Sequence, residues 1–152
     1  MRWLNTALLG GALCIGAGVT SLSAFADNPD PSPSSGLVLF LTQSDPMVAS
    51  HGLHIASRML DEDRQVTIML IGEAGQIAVK DAATGASRFT GESLQQDLAA
   101  FIAAGGTVAI TPPTVASLGG DYGVLIEGVG PPKDHQGLHD HMFEPRTKLM
   151  VF

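Results

Sequence analysis

Three short apolar runs punctuate this chain: Leu37-Val38-Leu39-Phe40-Leu41, Val66-Thr67-Ile68-Met69-Leu70-Ile71 and Thr107-Val108-Ala109-Ile110. A run that is apolar at nearly every position, rather than at every second one, marks a strand covered on both faces. Between successive runs lies a segment of helical character. Strand, helix, strand, helix, strand is the order that builds a parallel sheet through right-handed crossovers. The chain is therefore predicted to be α/β, a doubly wound, mostly parallel sheet of about five strands with helices on both faces.

The punctuation around these runs agrees. Asp45-Pro46 supplies a helix N-cap followed by proline at the first helical position. That helix is expected to run to about residue 60 and to stop in the charged turn Asp61-Glu62-Asp63-Arg64. Residues 72–81 read as a loop with a short helix, and 82–90, rich in Ala, Gly, Ser and Thr, as a surface loop. A second helix spans 92–104, with Leu94, Leu98, Phe101 and Ile102 at helical spacing, and closes at Gly105-Gly106. Thr111-Pro112-Pro113-Thr114 ends the third run, with one helical turn expected at 115–118. Val124-Leu125-Ile126 is a further apolar segment; a short helix over 135–143 and a last strand over 148–152 follow.

The amino end carries a different message. Arg2 precedes an apolar stretch over residues 7–22, and small residues, Ala24 and Ala26, occupy the two positions that a signal peptidase reads. Residues 1–26 are predicted to be a cleaved signal peptide, residues 27–36 a Pro/Ser-rich linker, and residues 37–152 the folded domain. An uncleaved anchor fits less well, because Gly10, Gly11, Gly16 and Gly18 loosen an apolar run already short for a span of ~20 residues. Removing 26 residues from 152 leaves 126, enough for one domain. It also removes Cys14, the only cysteine, so no disulfide can form in a compartment that permits them. The net charge moves from −7 to −8, since Arg2 is the only charged residue lost. An acidic chain with scattered Lys and Arg is a poor binder of nucleic acid or anionic membrane. The expected location is periplasmic or secreted.

The order and spacing of several stretches resemble the DsrE/DsrF-like family, small α/β domains associated with sulfur relay. The stretches are 37–46 (a strand, then Thr-Gln-Ser-Asp-Pro), 56–71, 94–110, Glu127-Gly128-Val129 and the closing Pro145-Arg146-Thr147-Lys148-Leu149-Met150-Val151-Phe152. The resemblance implies a DsrE-like doubly wound domain assembled as a homo-oligomer, a trimer or hexamer. It also implies that a cysteine just after the third strand, sometimes with a second three residues later, carries persulfide sulfur to a partner. Those positions fall on Thr111 and Thr114 here. A threonine hydroxyl cannot hold a persulfide and does not ionise as a thiol does. The family's sulfur-carrier chemistry therefore does not transfer, whereas the location keeps its meaning: the C-terminal edge of a parallel sheet is where such folds place ligands. Thr111 and Thr114 are thus the candidate ligand-binding residues, set against the plainer reading that two prolines stiffen a loop.

Histidine supplies the other candidates. In the first helix, Ala49, Gly52, Leu53, Ala56 and Leu60 form the expected buried stripe, which places Met47, His51, His54 and Arg58 on the opposite face. The tail holds His135, His139, His141 and Met142 beside Asp134, Asp140 and Glu144. Imidazole with thioether suits copper, and imidazole with carboxylate suits zinc. The competing readings are a solvated or subunit-contact helix face for the first group and a hydrophilic, pH-sensitive contact for the second. No G-x-S-x-G elbow, P-loop, G-x-G-x-x-G or H-E-x-x-H motif is present.

Together these features predict an exported binding protein rather than an enzyme. It would take a small ligand at the strand-end edge or a partner in exported sulfur or redox metabolism. The alternatives are a periplasmic copper- or zinc-binding protein using the tail histidines and Met142, and a hydroxyl- or histidine-based activity at the Thr111 edge.

Overall fold

The computed structural model describes residues 36–132 and 141–152. The proposed signal peptide, most of the proposed linker, His135 and His139 lie outside the described residues. The apolar runs form strands β1 (Gly36–Leu41), β2 (Gln65–Leu70) and β3 (Thr107–Ile110). Helix α1 (Pro46–Asp61) joins the first two, and α2 (Leu94–Ala103) joins the second and third. A six-residue helix α3 (Pro112–Ser117), a two-residue strand β4 (Val129–Gly130) and strand β5 (Thr147–Val151) complete the fold. The five strands form one sheet in the order β4-β3-β2-β1-β5, every neighbouring pair parallel. No helix among the described residues is long and apolar enough to cross a membrane.

The helix starts follow from their caps. Asp45 accepts from the Met47 and Val48 amides at 2.9 and 3.2 Å, with Pro46 at the first position, where no N–H is needed. At α2, Ser93 accepts from the Gln96 amide while the Gln96 side chain accepts from the Ser93 amide, a reciprocal capping box. This capping box sets the start at Leu94, two residues beyond the expected 92.

Alternation along the strands sorts the core. Leu37, Leu39, Leu41, Val66, Ile68, Leu70, Val108 and Ile110 belong to one cluster with Leu53 and Ala56 of α1 and Leu94, Leu98 and Phe101 of α2. A Cβ added at Gly52 would sit 3.3 Å from Leu41 and 3.5 Å from Leu39, so α1 lies directly on that face. The predicted stripe of α1 is buried except for Leu60, which is half-buried, while Ser50 joins it. Buried Ser50 receives the Arg88 amide at 3.1 Å and donates to the Pro46 carbonyl one turn back.

The fourth strand differs from the apolar pattern. Val124-Leu125-Ile126 is not in the sheet: Tyr122–Val124 form a 3₁₀ turn, and Leu125 enters the core from it. The neighbouring main chain is tied to residues 78–80 by Lys80 N–H to Val124 O and Ile126 N–H to Ala78 O, both 2.8 Å. Pairing with β3 falls instead to Val129 and Gly130.

Candidate functional site

The C-terminal edge of the sheet is built from the loops that follow β1, β2 and β3. Thr111 extends the β3 ladder by one bond, its amide donating to Leu70 O at 3.3 Å, and then caps α3 ahead of Pro112. One turn on, Thr114 is 3% exposed. The Thr111 and Thr114 hydroxyls lie 2.8 Å apart, and the Gly72 amide donates to the Thr114 hydroxyl at 2.9 Å. The Ser117 hydroxyl donates to the Thr114 carbonyl at 2.6 Å. Gly72 stands at φ +59, just past the end of β2. The two threonines therefore tie the loop after β2 to the loop after β3.

The methyl group of Thr114 is equally engaged. A Cβ added at Gly75 would fall 2.5 Å from it and 3.1 and 3.3 Å from Leu118 and Ile110. The segment 72–78 can approach this closely because position 75 has no side chain. Among the described residues, no carboxylate or imidazole is hydrogen-bonded to either hydroxyl, so nothing here resembles the nucleophile–base pair of covalent catalysis.

A cleft opens elsewhere on the same edge. It has a volume of about 280 Å³ and is lined by Ser44 after β1, by Gln76 and Ile77 after β2, and by residues 82–85. Its outer wall is fixed to α2: the Gln95 side chain donates to the carbonyls of Ile77 and Val79, the Gln95 amide donates to the Thr84 hydroxyl at 3.3 Å, and the Leu94 amide donates to Gly85 O at 2.9 Å. Thr111 and Thr114 are not among its lining residues. None of the lining side chains is titratable. The sequence offered little to find it, because Ala82-Ala83-Thr84-Gly85 carries no chemistry of its own and reads as a loop.

The histidines among the described residues separate into two places. His51 and His54 are exposed on α1, as their spacing predicts, and both contact Phe89. His54 stacks on the Phe89 ring at 4.2 Å, and His51 meets its edge at 5.0 Å. The His51 Nδ1 also lies 2.8 Å from the Met47 carbonyl. No local pattern links Phe89 to a helix 35 residues earlier.

His141 is different. It is 8% exposed, its Nδ1 lies 3.5 Å from the Glu144 carboxylate, and its Nε2 is buried without a hydrogen-bond partner. The Thr147 hydroxyl is buried and unpartnered in the same way. A Cβ at Gly36 would come 2.6 Å from His141 Cε1 and 3.2 Å from Thr147 Oγ1, so both groups lie against the first residue of β1. Met142, next in line, is half-buried. Among the described residues, no three His, Cys, Asp or Glu side chains are gathered closely enough to hold a metal ion.

No family model matches the chain, and no curated protein matches its sequence. Solved structures do match its fold. The chain is similar to the ychN protein from E. coli, with a TM-score of 0.63 and 16% identity over 78% of this chain and 99% of that one. It is also similar to MTH1491 from Methanobacterium thermoautotrophicum, a protein described as of unknown function, with a TM-score of 0.55 and 16% identity over 78% of this chain and 100% of that one. Likeness at this identity carries the architecture and not the chemistry of a site. The chain has the DsrE-like α/β fold, a five-stranded parallel sheet with its helices.

Proposed function

We propose that this chain is an exported, non-enzymatic binding protein of DsrE-like fold. It works in the periplasm or outside the cell as a homo-oligomer, a trimer or hexamer. Its partner or ligand belongs to sulfur or redox metabolism, and it does not itself carry sulfur. The observation that supports this reading is the tie between Thr111, Thr114 and Gly72. At the place where the resemblance expects a persulfide-bearing thiol, the chain has two hydroxyls joined to each other and to a main-chain amide. Binding at this edge then falls to the neighbouring cleft, whose volume of about 280 Å³ is just below the ~300 Å³ at which small-molecule pockets begin.

The test is a sulfur challenge. Protein recovered from an exporting host is incubated with a sulfane-sulfur donor and weighed intact. The expected result is no covalent sulfur. A mass increase that a thiol reductant removes would count against the proposal.

One observation favours a second reading, a periplasmic copper- or zinc-binding protein using His135, His139, His141 and Met142, with His51 and His54 as further candidates. A metal-bound histidine characteristically turns its other ring nitrogen toward a carboxylate. His141 has that disposition toward Glu144 and leaves Nε2 unpartnered. On this reading the dialysed protein retains one copper or zinc ion per chain and loses it in the variant His141→Ala. Protein that takes up no metal, or a variant that binds it equally well, would remove this alternative.

A further inference from the structure

The cleft at the carboxyl edge of the sheet differs from the rest of that edge in what its polar groups do. Elsewhere on the edge the hydroxyls are spent on the protein itself. Thr42 donates to the Phe152 carbonyl, the Thr111 and Thr114 hydroxyls bond to each other, and Ser117 donates to the Thr114 carbonyl. In the cleft, the Ser44 hydroxyl and the Gln76 carboxamide have no hydrogen-bond partner among the described residues. The Thr84 hydroxyl accepts from the Gln95 amide and keeps its own proton to give. A single solvated polar side chain is ordinary. Three that line one cavity with capacity left are the kind of group that orients a ligand.

The walls of the cleft are fixed before any ligand arrives. Segment 82–85 is held on one side by α2, whose Leu94 and Gln95 amides donate to the Gly85 carbonyl and the Thr84 hydroxyl. On the other side it lies flush on the first turn of α1, since a Cβ added at Gly85 would overlap the Pro46 ring. The Gln95 side chain fixes the facing segment through the carbonyls of Ile77 and Val79. A ligand therefore need not order the walls that receive it.

Charge narrows what can enter. An anion is readily held by free amides at a helix N-terminus. Both helices that border the cleft have spent theirs. In α1, Pro46 has no N–H, and Asp45 accepts from Met47 and Val48. In α2, the Leu94, Gln95 and Gln96 amides donate to Gly85, Thr84 and Ser93. No Lys, Arg or His lines the cleft, Asp45 stands beside Ser44 in the chain, and the protein as a whole carries a net charge of −7. An anion would enter with nothing to offset its charge.

A cation fares no better. No carboxylate lines the cleft, so an ammonium leaving water would meet only neutral dipoles. The rest of the lining is apolar, buried Ile77 with the small side chains of Ala82 and Ala83. A space of about 280 Å³ with one apolar side and three neutral polar groups suits a small uncharged molecule.

We propose that the cleft binds a small uncharged molecule bearing a carboxamide or hydroxyl group, and that Gln76 sets its preference for neutral over charged ligands. Carboxamides and hydroxyls both donate and accept, as Ser44, Gln76 and Thr84 do. A ligand carboxamide can meet that of Gln76 in a reciprocal pair of hydrogen bonds. The proposal rests on the binding reading above and restricts its ligand. Sulfur oxyanions such as thiosulfate are excluded, and a sulfur or redox ligand enters only in neutral form.

Three molecules that share one ring and differ in charge test this: nicotinamide, nicotinate and the corresponding aminomethylpyridine, which carry a carboxamide, a carboxylate and an ammonium. Binding to protein recovered from an exporting host is read by ligand-detected NMR, with thiosulfate as a fourth arm. Nicotinamide is expected to bind at least about tenfold more tightly than the other three. Gln76→Leu is expected to weaken it about 2–10-fold, the net worth of a hydrogen bond. Gln76→Glu places a carboxylate in the cleft at nearly equal size and is expected to reverse the order, the aminomethylpyridine then binding more tightly than nicotinamide. Gln76 is exposed, so neither variant disturbs the core. Nicotinate or thiosulfate binding as tightly as nicotinamide, or an order unchanged by Gln76→Glu, would overturn the proposal and leave the binding reading intact. Absence of binding by all four would overturn it too, leaving a partner protein as the occupant on that reading. Covalent sulfur on the chain would overturn the binding reading itself, whichever molecule the cleft takes.

Discussion

Phe101→Ala is expected to lower the unfolding free energy by about 3–5 kcal/mol, the range for deleting a buried aromatic ring. Phe101 is 2% exposed and belongs to the central cluster with Leu94 and Leu98 of α2. The helix ends just after it, and the chain turns through Gly105 at φ +100. The Gly106 amide then returns to the Phe101 carbonyl at 3.0 Å. A Cβ at Gly106 would lie 2.2–2.6 Å from three atoms of the ring, so the ring rests flush against the main chain there. Removing the ring leaves a void that this turn cannot close. Urea unfolding gives the measurement, with an unchanged slope showing that the unfolded state is not altered. The same contact makes Gly106→Ala unfavourable by about 1–3 kcal/mol, because the ring is rigid and its neighbours are packed. Combining Gly106→Ala with Phe101→Leu is expected to cost less than the two changes summed, the mark of residues sharing one space.

Thr114→Val is expected to lower the unfolding free energy by about 0.5–1.5 kcal/mol. Valine keeps the methyl group that sits over Gly75 with Ile110 and Leu118. It removes the hydroxyl, so the amide of exposed Gly72 and the hydroxyl of half-buried Thr111 both lose their partner at position 114. Water can reach both groups, so the cost is the net worth of the lost hydrogen bonds rather than that of a buried unpaired donor. Thr114→Ser makes the opposite change. It keeps the hydroxyl bonds and loses one methyl, at about 1 kcal/mol. Both variants are expected to be less stable than wild type, valine through the lost hydrogen bonds and serine through the lost methyl group. A valine variant as stable as wild type would show that the hydroxyl tie does not hold the two loops together.

Much of this architecture was legible in the sequence, for identifiable reasons. The run 37–41 is apolar throughout because β1 lies inside the sheet, between β2 and β5. Strand β3 was bounded to the residue, since Gly105-Gly106 stops the preceding helix and Pro112 opens the next. Asp45-Pro46 fixed the start of α1 through local chemistry alone. The fourth strand was not legible, because two residues, Val129 and Gly130, carry no period. The apolar segment just before it owes its character to Leu125 entering the core from a 3₁₀ turn.

The candidate site divides in the same way. Its location after β3 could be read from strand order and resemblance. The engagement of Thr114 could not, because its partner, Gly72, lies 42 residues earlier. The cleft escaped for a related reason: its wall is made of small residues whose position depends on Gln95 bonding back to Ile77 and Val79. Phe89 between the two α1 histidines is likewise a tertiary contact with no local sign.

The most direct measurement is native mass spectrometry of the protein recovered from an exporting host, before and after exposure to a sulfane-sulfur donor. The expected spectrum shows a chain beginning at Asp27, assembled into a trimer or hexamer. Any ligand is released on denaturation, and no sulfur adduct appears on the chain. A full-length chain that retains Cys14, or a mature chain that gains sulfur removable by a reductant, would contradict the proposal that this DsrE-like domain is exported and works by binding alone.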